Sequence, residues 1–367
     1  MAVALKDEIS QKNINHLGQL LQLHCEHVLS NASLFDSEQF EQCLFDKAWN
    51  EMGLLQRLEK VACSINESLH VNYAQQLTVL MAVEKEFDGL FHLVFAEFVR
   101  QFGLHDFPSS IKAMAVFTEN SSSEFAMRPF LQADAERMLP VIEKWSQSDN
   151  FHLRRLASES IRPRLPWAPH LSILVENPDW GKTIIENLKC DTSRYVQKSV
   201  ANLLNDLTKS HPNWVLNLLE QWSLTLVDNE HNRWIIKHAL RSLLKQGNSR
   251  ALALIGYVPP NHIDIESLEI DRQVKIGDKC HFHFTLSSPK EIGLIRVEYA
   301  IYFLRKTQSA YRKVFKVSES IVADNIKNVK SSHDFKVIST RKYQVGKHQI
   351  DFIINGVVKA TGEFELQ

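Results

Sequence analysis

Hydrophobic side chains recur every three or four residues over the first two thirds of the chain. Leu17, Leu20 and Leu21 show this spacing near the start, and Leu77 and Leu80 show it further along. The spacing places apolar side chains on one face of an α-helix, and no alternating strand pattern interrupts it before about residue 256. The breaks between the helical segments contain Asn, Ser, Gly and Pro, which commonly end helices. The pattern predicts an all-α region.

This helical region contains a weak repeat from residue 149 onward. In three places an aspartate precedes a helix that has a basic residue in its first turns; the aspartates are Asp149, Asp191 and Asp228. The matching basic residues Arg155, Lys198 and Lys237 are 43 and 39 residues apart. Spacings of this length are typical of HEAT repeats, in which pairs of helices stack side by side. We therefore predict an all-α HEAT-like repeat solenoid with a concave inner surface.

The period changes from helical to alternating after residue 257. Residues 281–286, 295–303 and 348–354 read as strands, and Asn355-Gly356 is a strong signal for a two-residue hairpin turn. About seven such strands in roughly 100 residues indicate a C-terminal all-β immunoglobulin-like sandwich. The Cys-Trp-Cys pattern of antibody domains is missing, so only the architecture is predicted. We expect two domains, a solenoid over residues 1–258 and a sandwich over residues 262–367.

Charge is divided unevenly along the chain, although the net charge is only -1. Residues 1–150 contain 11 Lys and Arg against 21 Asp and Glu, whereas residues 151–367 contain 31 against 22. The densest basic segment is 301–350, with 11 basic and 3 acidic residues. A protein that meets a polyanion through one surface has this pattern, but a solvated basic face explains the charge equally well.

Several classes of function lack the residues that they need. The 5 cysteines are odd in number and widely spaced, without a C-x-x-C pair, so neither a disulfide framework nor a zinc site is indicated. The histidine pairs are too small for a metal site, and we expect no metal and no cofactor. There is no glycine-rich phosphate loop, no G-x-S-x-G and no zinc-deaminase motif. No apolar stretch could span a bilayer, and the N-terminus does not read as a signal peptide. We expect a monomer in the bacterial cytoplasm, at the nucleoid when it acts, without a membrane partner.

Charged residues of two repeats fall on equivalent helix faces. With about 100° per residue, Leu156 and Ile161 lie in the buried stripe of one helix, and Glu159 lies on the opposite, unburied side. Arg155 and Arg162 flank Glu159 there, and in the next repeat Asp206 takes the equivalent side. Spacing alone favours the simpler interpretation, which is ordinary ion pairs on an exposed helix.

Four sequence runs resemble those of one enzyme family. They are EFAMRPFL at 124–131, RRLASESIRPRLPWAP at 154–169, SVANLLND at 199–206 followed by His211-Pro212, and WIIKHALR at 234–241. These runs resemble the AlkC branch of the HEAT-like DNA glycosylases, and the resemblance extends over nearly the whole chain. One departure is Ser160-Ile161, where a smaller Gly-Thr-like pair is expected. The change falls on the buried stripe, so it should affect packing rather than chemistry.

The resemblance implies removal of N-alkylated bases, such as 3-methyladenine and 3-methylcytosine, from duplex DNA. It places the catalytic carboxylates at Glu124, Glu159 and Asp206, and the substrate-stacking tryptophan at Trp167. It also implies an additional immunoglobulin-like domain, which agrees with the strand pattern. The chemistry suits these residues. A cationic alkylated base leaves without a general acid, and fixed carboxylates can stabilise the positive charge that develops on the deoxyribose.

We further expect a set of basic residues to contact DNA phosphates: Arg154, Arg155, Arg162, Arg164, Arg194, Lys198, Lys237, Arg241, Arg341 and Lys342. The last two belong to a basic loop that could clamp the duplex, although a solvated sandwich loop is about as good an interpretation. No lysine nucleophile is singled out by its position, so we predict a monofunctional glycosylase without lyase activity. The alternative is a non-catalytic HEAT-repeat scaffold or DNA-binding protein.

Overall fold

A computed structural model describes residues 5–45, 48–305, 310–337 and 342–367. The described residues form sixteen α-helices followed by eight β-strands. The helices are α1 Gln11–Leu29, α2 Ser37–Leu44, α3 Leu54–Ser68, α4 Tyr73–Val83, α5 Leu93–Phe102, α6 Phe107–Phe117, α7 Met127–Ala133, α8 Ala135–Ser146, α9 Phe151–Ser160, α10 Ile173–Glu176, α11 Lys182–Asn187, α12 Arg194–Leu207, α13 Pro212–Thr225, α14 Glu230–Ala239, α15 Arg241–Lys245 and α16 Ser249–Leu254. The all-α region followed by strands confirms the predicted fold class.

The first helix illustrates how the apolar spacing becomes a packed element. Helix α1 begins after Ser10, whose side chain accepts a hydrogen bond from the backbone N–H of Asn13. It ends at Leu29, and the next residue, Ser30, lies in the left-handed region with φ 57°. Its buried residues include Leu17 and Leu21, the positions that the spacing singles out. Full burial of one such leucine contributes about 1.5–3 kcal/mol, which outweighs the modest helix propensity of a single turn.

The three repeat helices predicted from the aspartates are present as α9, α12 and α14. The aspartates themselves are not the helix caps. Asn150 caps α9 by accepting a hydrogen bond from His152 N–H at 2.9 Å. Asp191 instead accepts two hydrogen bonds from the Arg154 guanidinium, at 2.6 and 3.1 Å, and one from Ser193 N–H at 2.8 Å. The aspartate of one repeat therefore ties its helix to the preceding repeat.

The eight strands form two sheets packed around one apolar core. The strands are β1 Asp264–Ile270, β2 Gln273–Val274, β3 Lys279–Ser287, β4 Gly293–Phe303, β5 Tyr311–Val322, β6 Ile326–Asp334, β7 Gly346–Ile354 and β8 Val357–Leu366. One sheet has the order β1-β3-β6 and the other β2-β8-β7-β4-β5. The neighbours are antiparallel except for β2 and β8, which pair in parallel. Phe282, Phe284 and Phe352 meet in the core between the sheets.

The predicted hairpin turn joins β7 to β8. Asn355 and Gly356 have φ values of 44° and 80°, the combination that a two-residue type I′ turn requires. Gly356 also lies against Gly247, which has φ 74° and precedes α16. A Cβ atom added at Gly247 would lie 2.6 Å from the Gly356 carbonyl oxygen, so backbone meets backbone here.

The chain forms two compact units that do not coincide with the change from helix to strand. One unit comprises Met1–His211 and Asn229–Ile235, and the other comprises Pro212–Asp228 and Ile236–Gln367. Helices α13, α15 and α16 therefore belong with the sandwich. The predicted domains, 1–258 and 262–367, follow the change of secondary structure instead, and that division stays a prediction.

Candidate active site

The three predicted carboxylates come from three different elements of the first unit. Glu124 precedes α7, Glu159 lies near the end of α9, and Asp206 lies near the end of α12. Helices α9 and α12 pack against each other, and the hydroxyls of Ser158 and Ser199 meet between them at 2.7 Å. This small-residue contact allows the two helices to approach closely and brings their acidic residues together.

Two arginines link the carboxylates into one row of alternating charge. Arg155 Nη1 lies 2.5 Å from Glu124 Oε2, and Arg155 Nη2 lies 3.7 Å from Glu159 Oε1. Arg162 Nη1 pairs with the same Glu159 oxygen, while Arg162 Nε lies 3.0 Å from Asp206 Oδ2. We call Glu124, Arg155, Glu159, Arg162 and Asp206 the charged row. It joins all three carboxylates that the resemblance implies.

The charged row is more buried than its helical phase suggested. We expected the side of α9 that carries Glu159 to be unburied, and this expectation is wrong. Glu159 is only 5% exposed and Asp206 only 6%. The apolar stripe does not cover these carboxylates. Instead, α12 packs on this side of α9, and the guanidinium groups of Arg155 and Arg162 lie against the acidic oxygens.

Both arginines remain charged in this buried setting. Burial alone would lower the pKa of Arg155, but the carboxylates of Glu124 and Glu159 raise it above its ordinary value. Burial likewise opposes the charge of Arg162, and Glu159 and Asp206 raise the pKa of its guanidinium above the usual range. Fixed ion pairs of this kind hold the carboxylate oxygens in defined positions. Lys209 Nζ, 3.5 Å from Asp206 Oδ1, adds a further cation at the end of the row.

Arg128 is a residue of this region that the sequence did not single out as functional. It lies on α7, is 1% exposed, and donates from Nη2 to the backbone oxygen of Arg162 at 2.5 Å. Its Nε and Nη1 atoms are buried and have no hydrogen-bond partner among the residues that the structure describes. Burial and then the Arg162 guanidinium lower the pKa of Arg128 to about 10, so it stays cationic at neutral pH. Arg128 lies in the EFAMRPFL run, and membership of that run is the sequence signal that could have identified it.

Trp167 stands on the turn that follows α9. Its backbone adopts φ 62°, a left-handed conformation that is uncommon for a bulky residue, and its side chain is 57% exposed. The turn is held by the hydrogen bond from Leu171 N–H to the Pro163 oxygen, at 3.1 Å. Trp167 lines a pocket of about 280 Å³ together with Phe125 and Arg128. Strained backbone of this kind often marks a functional position.

The predicted phosphate-binding residues fall into two groups. The guanidinium groups of Arg154, Arg155 and Arg162 bond to carboxylates. The other described members have exposed or half-buried side chains; these are Arg164, Arg194, Lys198, Lys237, Arg241 and Lys342. Within this group, Arg194 lies 4.1 Å from the centre of the Trp234 ring, and Lys237 pairs with Glu319 at 2.7 Å. Arg341 lies outside the described residues.

The described part of the chain offers no group of three His, Cys, Asp or Glu residues that could hold a metal ion. Four cysteines with described side chains, Cys25, Cys63, Cys190 and Cys280, are free thiols. None of the helices within the described ranges is long and apolar enough to cross a membrane.

Family models match two segments of the chain. Residues 118–243 match the model of a DNA alkylation repair enzyme, and residues 264–367 match the C-terminal immunoglobulin-like domain of the uncharacterised protein YhaZ. The first segment contains the whole charged row and Trp167, and the second corresponds to the strands.

Two similar proteins cover almost the whole chain. The uncharacterized protein YhaZ of Bacillus subtilis (strain 168) is 39% identical over 350 residues, which is 95% of this chain and 97% of YhaZ. A solved structure of the Pseudomonas fluorescens alkylpurine DNA glycosylase AlkC, bound to DNA containing an abasic site analog, is 35% identical. Its TM-score is 0.92, and the match covers 100% of both chains.

Proposed function

The chain belongs to the AlkC-type family of DNA alkylation repair glycosylases, and from this membership we propose that it releases cationic N-alkylated bases from duplex DNA. The proposed substrates are of the 3-methyladenine and 3-methylcytosine class, and the reaction is hydrolysis of the N-glycosidic bond. One observation carries the proposal: the three carboxylates from separate elements converge in the charged row.

The proposed mechanism uses the carboxylates as fixed negative charge. The bond between C1′ and the base nitrogen breaks, its electron pair goes to the departing base, and the base leaves neutral because it was cationic before. The deoxyribose then carries a developing positive charge, which Glu159 and Asp206 stabilise. A water molecule adds its oxygen to C1′ and releases a proton to a neighbouring carboxylate or to solvent.

The arginines have a different role in this proposal. Arg155 and Arg162 keep the carboxylates in place before the substrate arrives, so little reorganisation is needed in the transition state. Four cations, Arg128, Arg155, Arg162 and Lys209, stand against the three carboxylates. The excess positive charge suits a DNA phosphate beside the lesion. That phosphate would neutralise the excess, which otherwise opposes the positive charge that develops on the deoxyribose.

Trp167 and the exposed basic residues supply the contacts to DNA in this proposal. The exposed indole suits stacking on a nucleobase or a wedge into a bent duplex. The exposed lysines and arginines suit phosphate contacts that are independent of sequence and sensitive to salt. We also propose a monofunctional enzyme, because the sequence singles out no lysine nucleophile by its position.

Substitution of the two buried carboxylates tests the assignment. Glu159→Gln and Asp206→Asn should each lower the rate of base release from methylated duplex DNA by about 10²–10³-fold, the usual effect of losing one electrostatic contact in a transition state. Affinity for undamaged duplex should be retained. Glu186→Gln is the matched control, because Glu186 also pairs with a cation three residues away, Lys189 at 2.9 Å, but lies outside the charged row.

Two outcomes would contradict the proposal. Base release that is unchanged in both variants, with DNA binding intact, would remove the catalytic role of the charged row. If the wild-type protein bound DNA but released no alkylated base, the alternative of a non-catalytic HEAT-repeat DNA-binding or scaffold protein would be favoured.

A further inference from the structure

The second compact unit contains a pocket of about 630 Å³ with a strongly basic lining. Its walls come from residues 237–245 on the helical side and from β4 and β5 on the sheet side. Six lining residues carry a Lys or Arg side chain: Lys237, Arg241, Lys245, Arg296, Lys313 and Lys316. Glu319 is the one carboxylate among the described lining residues. The pocket is therefore built around one negative charge surrounded by cations.

Glu319 makes contact with several of these groups at once. Its carboxylate lies 2.7 Å from Lys237 Nζ and 3.2 Å from Lys316 Nζ, and it accepts a hydrogen bond from Tyr257 OH at 2.5 Å. The Glu319 side chain is 16% exposed, whereas both lysines are 50% exposed. The carboxylate is thus held at the wall while the ammonium groups remain open to solvent.

The charge of Glu319 is firmly fixed. Burial by itself raises the pKa of its carboxyl, but hydrogen bonds from Lys237, Tyr257 and Lys316 lower that pKa to about 2. Arg296 lies 4.0 Å from Glu319 and is already paired with the buried Glu298 at 2.5 Å. The described lining residues thus carry six cationic side chains beside the carboxylates of Glu319 and the neighbouring Glu298.

An ordinary surface ion pair would not need this arrangement. One lysine and one carboxylate satisfy each other at the surface and contribute little to stability. Here two half-exposed lysines share one carboxylate inside a concave basic wall, where the field of the surrounding cations adds up. Phe315, half-buried on β5, also lines the pocket beside the cations. Such a wall suits a phosphodiester, whose charge needs several cations and whose sugar can pack on an apolar surface.

We propose that this pocket binds a backbone phosphate of duplex DNA, and that Glu319 is its internal counter-ion. The inference rests on the proposed function, because it takes DNA as the ligand. In the free protein Glu319 forms ion pairs with Lys237 and Lys316. When DNA binds, a phosphate takes over both ammonium groups, while Glu319 keeps its hydrogen bond from Tyr257. The carboxylate therefore weakens binding to DNA of any sequence, and it limits the time that the protein spends on undamaged duplex.

The test is the affinity of Glu319→Gln for undamaged duplex DNA at several salt concentrations. Glutamine can still accept the hydrogen bond from Tyr257, but it carries no charge. The variant should bind about two- to fivefold more tightly at low salt, which is the effect expected from releasing one partly exposed ion pair. The plot of log K against log salt should become steeper, because the positive charge that the pocket presents to DNA rises by one.

Two further variants show whether a change in affinity comes from this pocket. Glu363→Gln removes a carboxylate that pairs with Lys347 at 2.5 Å on the same sheet, and both partners are exposed. It should change affinity less than Glu319→Gln. Lys316→Gln removes an exposed cation from the pocket, so it should weaken binding and make the salt dependence shallower. Thermal unfolding of each variant shows whether its fold is intact.

The outcomes separate this inference from the proposed function. If Glu319→Gln binds no more tightly than wild type, or if Glu363→Gln has the same effect, Glu319 is a structural contact and the inference is wrong. If Lys316→Gln binds as well as wild type, the pocket does not hold a phosphate. If the wild type releases alkylated bases but Glu319→Gln has the wild-type affinity for DNA, only the inference is wrong. A wild type without base release whose Glu319→Gln variant binds tighter overturns only the proposed function.

Discussion

Arg162 links two helices of the first unit through ion pairs. Its guanidinium contacts Glu159 on α9 and Asp206 on α12, and its backbone oxygen receives the hydrogen bond from Arg128. All of these groups are buried. A cation that neutralises two buried carboxylates cannot be removed without leaving charge uncompensated in a medium that solvates it poorly.

We therefore expect Arg162→Met to lower the free energy of unfolding by about 3–5 kcal/mol, the usual cost of breaking a buried ion pair from one side. Methionine keeps much of the side-chain volume, so the loss reports mainly on charge. Urea unfolding measures it. The control is Arg250→Met, which removes an exposed pair with Glu220 at 2.7 Å and should cost much less stability, because solvent screens an exposed pair. Equal costs for the two variants would mean that the charged row does not stabilise the fold.

The residues of this site could be predicted only in part from the sequence. Helical spacing correctly paired Arg155 with Glu159 and Glu159 with Arg162, because side chains three or four positions apart share a face. Their burial could not be predicted, since it results from α12, whose residues are about 40 positions away. The link from Arg155 to Glu124 depends on how separate helices pack, and spacing within one helix carries no information about it.

At the scale of elements, the turn after α9 combines prolines with a strained residue. Pro163, Pro166 and Pro169 prevent the helix from continuing, and they restrict the residues that precede them to extended conformations. Trp167 lies among them with φ 62°. The cost of a left-handed backbone at a non-glycine residue is about 1–2 kcal/mol, so the surrounding turn must over-determine this conformation.

This strain gives an unusual order of stability for two variants. Trp167→Gly should be more stable to urea than Trp167→Ala by about 1 kcal/mol, because glycine adopts positive φ without a steric penalty. Both should release alkylated bases more slowly, since both lack the indole. The control is Ala168→Gly in the same turn, at a residue without a positive φ, where glycine should reduce stability. A glycine variant at 167 that is less stable than the alanine variant would show that the backbone is not strained.

The sandwich shows which elements a sequence pattern can define. Alternating residues predicted β7, and the Asn355-Gly356 turn predicted a hairpin there, because a type I′ turn demands residues that tolerate positive φ. The pattern did not assign α13, α15 and α16 to the unit that contains the sandwich. A period of 3.6 residues shows that a helix has an apolar face, but it does not identify the surface that the face packs against.

At the scale of the whole molecule, the end of the helical region and the sandwich form one compact unit. Leu252 lies against the turn of the β7–β8 hairpin, Tyr257 OH donates to Glu319, and the Asn355 amide donates to the Val258 oxygen at 3.0 Å. Leu252 and Tyr257 are both buried. Removing the strands would expose them.

We expect a chain shortened to end at residue 260 to lose about 3 kcal/mol or more of stability, since each large buried side chain contributes about 1.5–3 kcal/mol. Urea unfolding monitored by far-ultraviolet circular dichroism measures the loss in the helical part. The full chain with Tyr257→Phe is the control for losing the hydroxyl alone. Unfolding of the short chain at the wild-type urea concentration would show that the helical region is independent. If the short chain is instead less stable, its loss of DNA affinity would follow from unfolding of the helical part. The proposed DNA clamp is then tested with point variants of the full chain.

The contact between Gly247 and Gly356 also restricts how this chain can vary. The two residues are 109 positions apart, and a Cβ atom on either would meet the backbone of the other within 2.9 Å. Neither position can accept a side chain unless the hairpin and the turn before α16 separate. A homologous chain with larger residues at both positions can keep every group of the charged row and still attach its sandwich differently. Two glycines remote from the chemistry thus indicate whether such a chain shares this architecture.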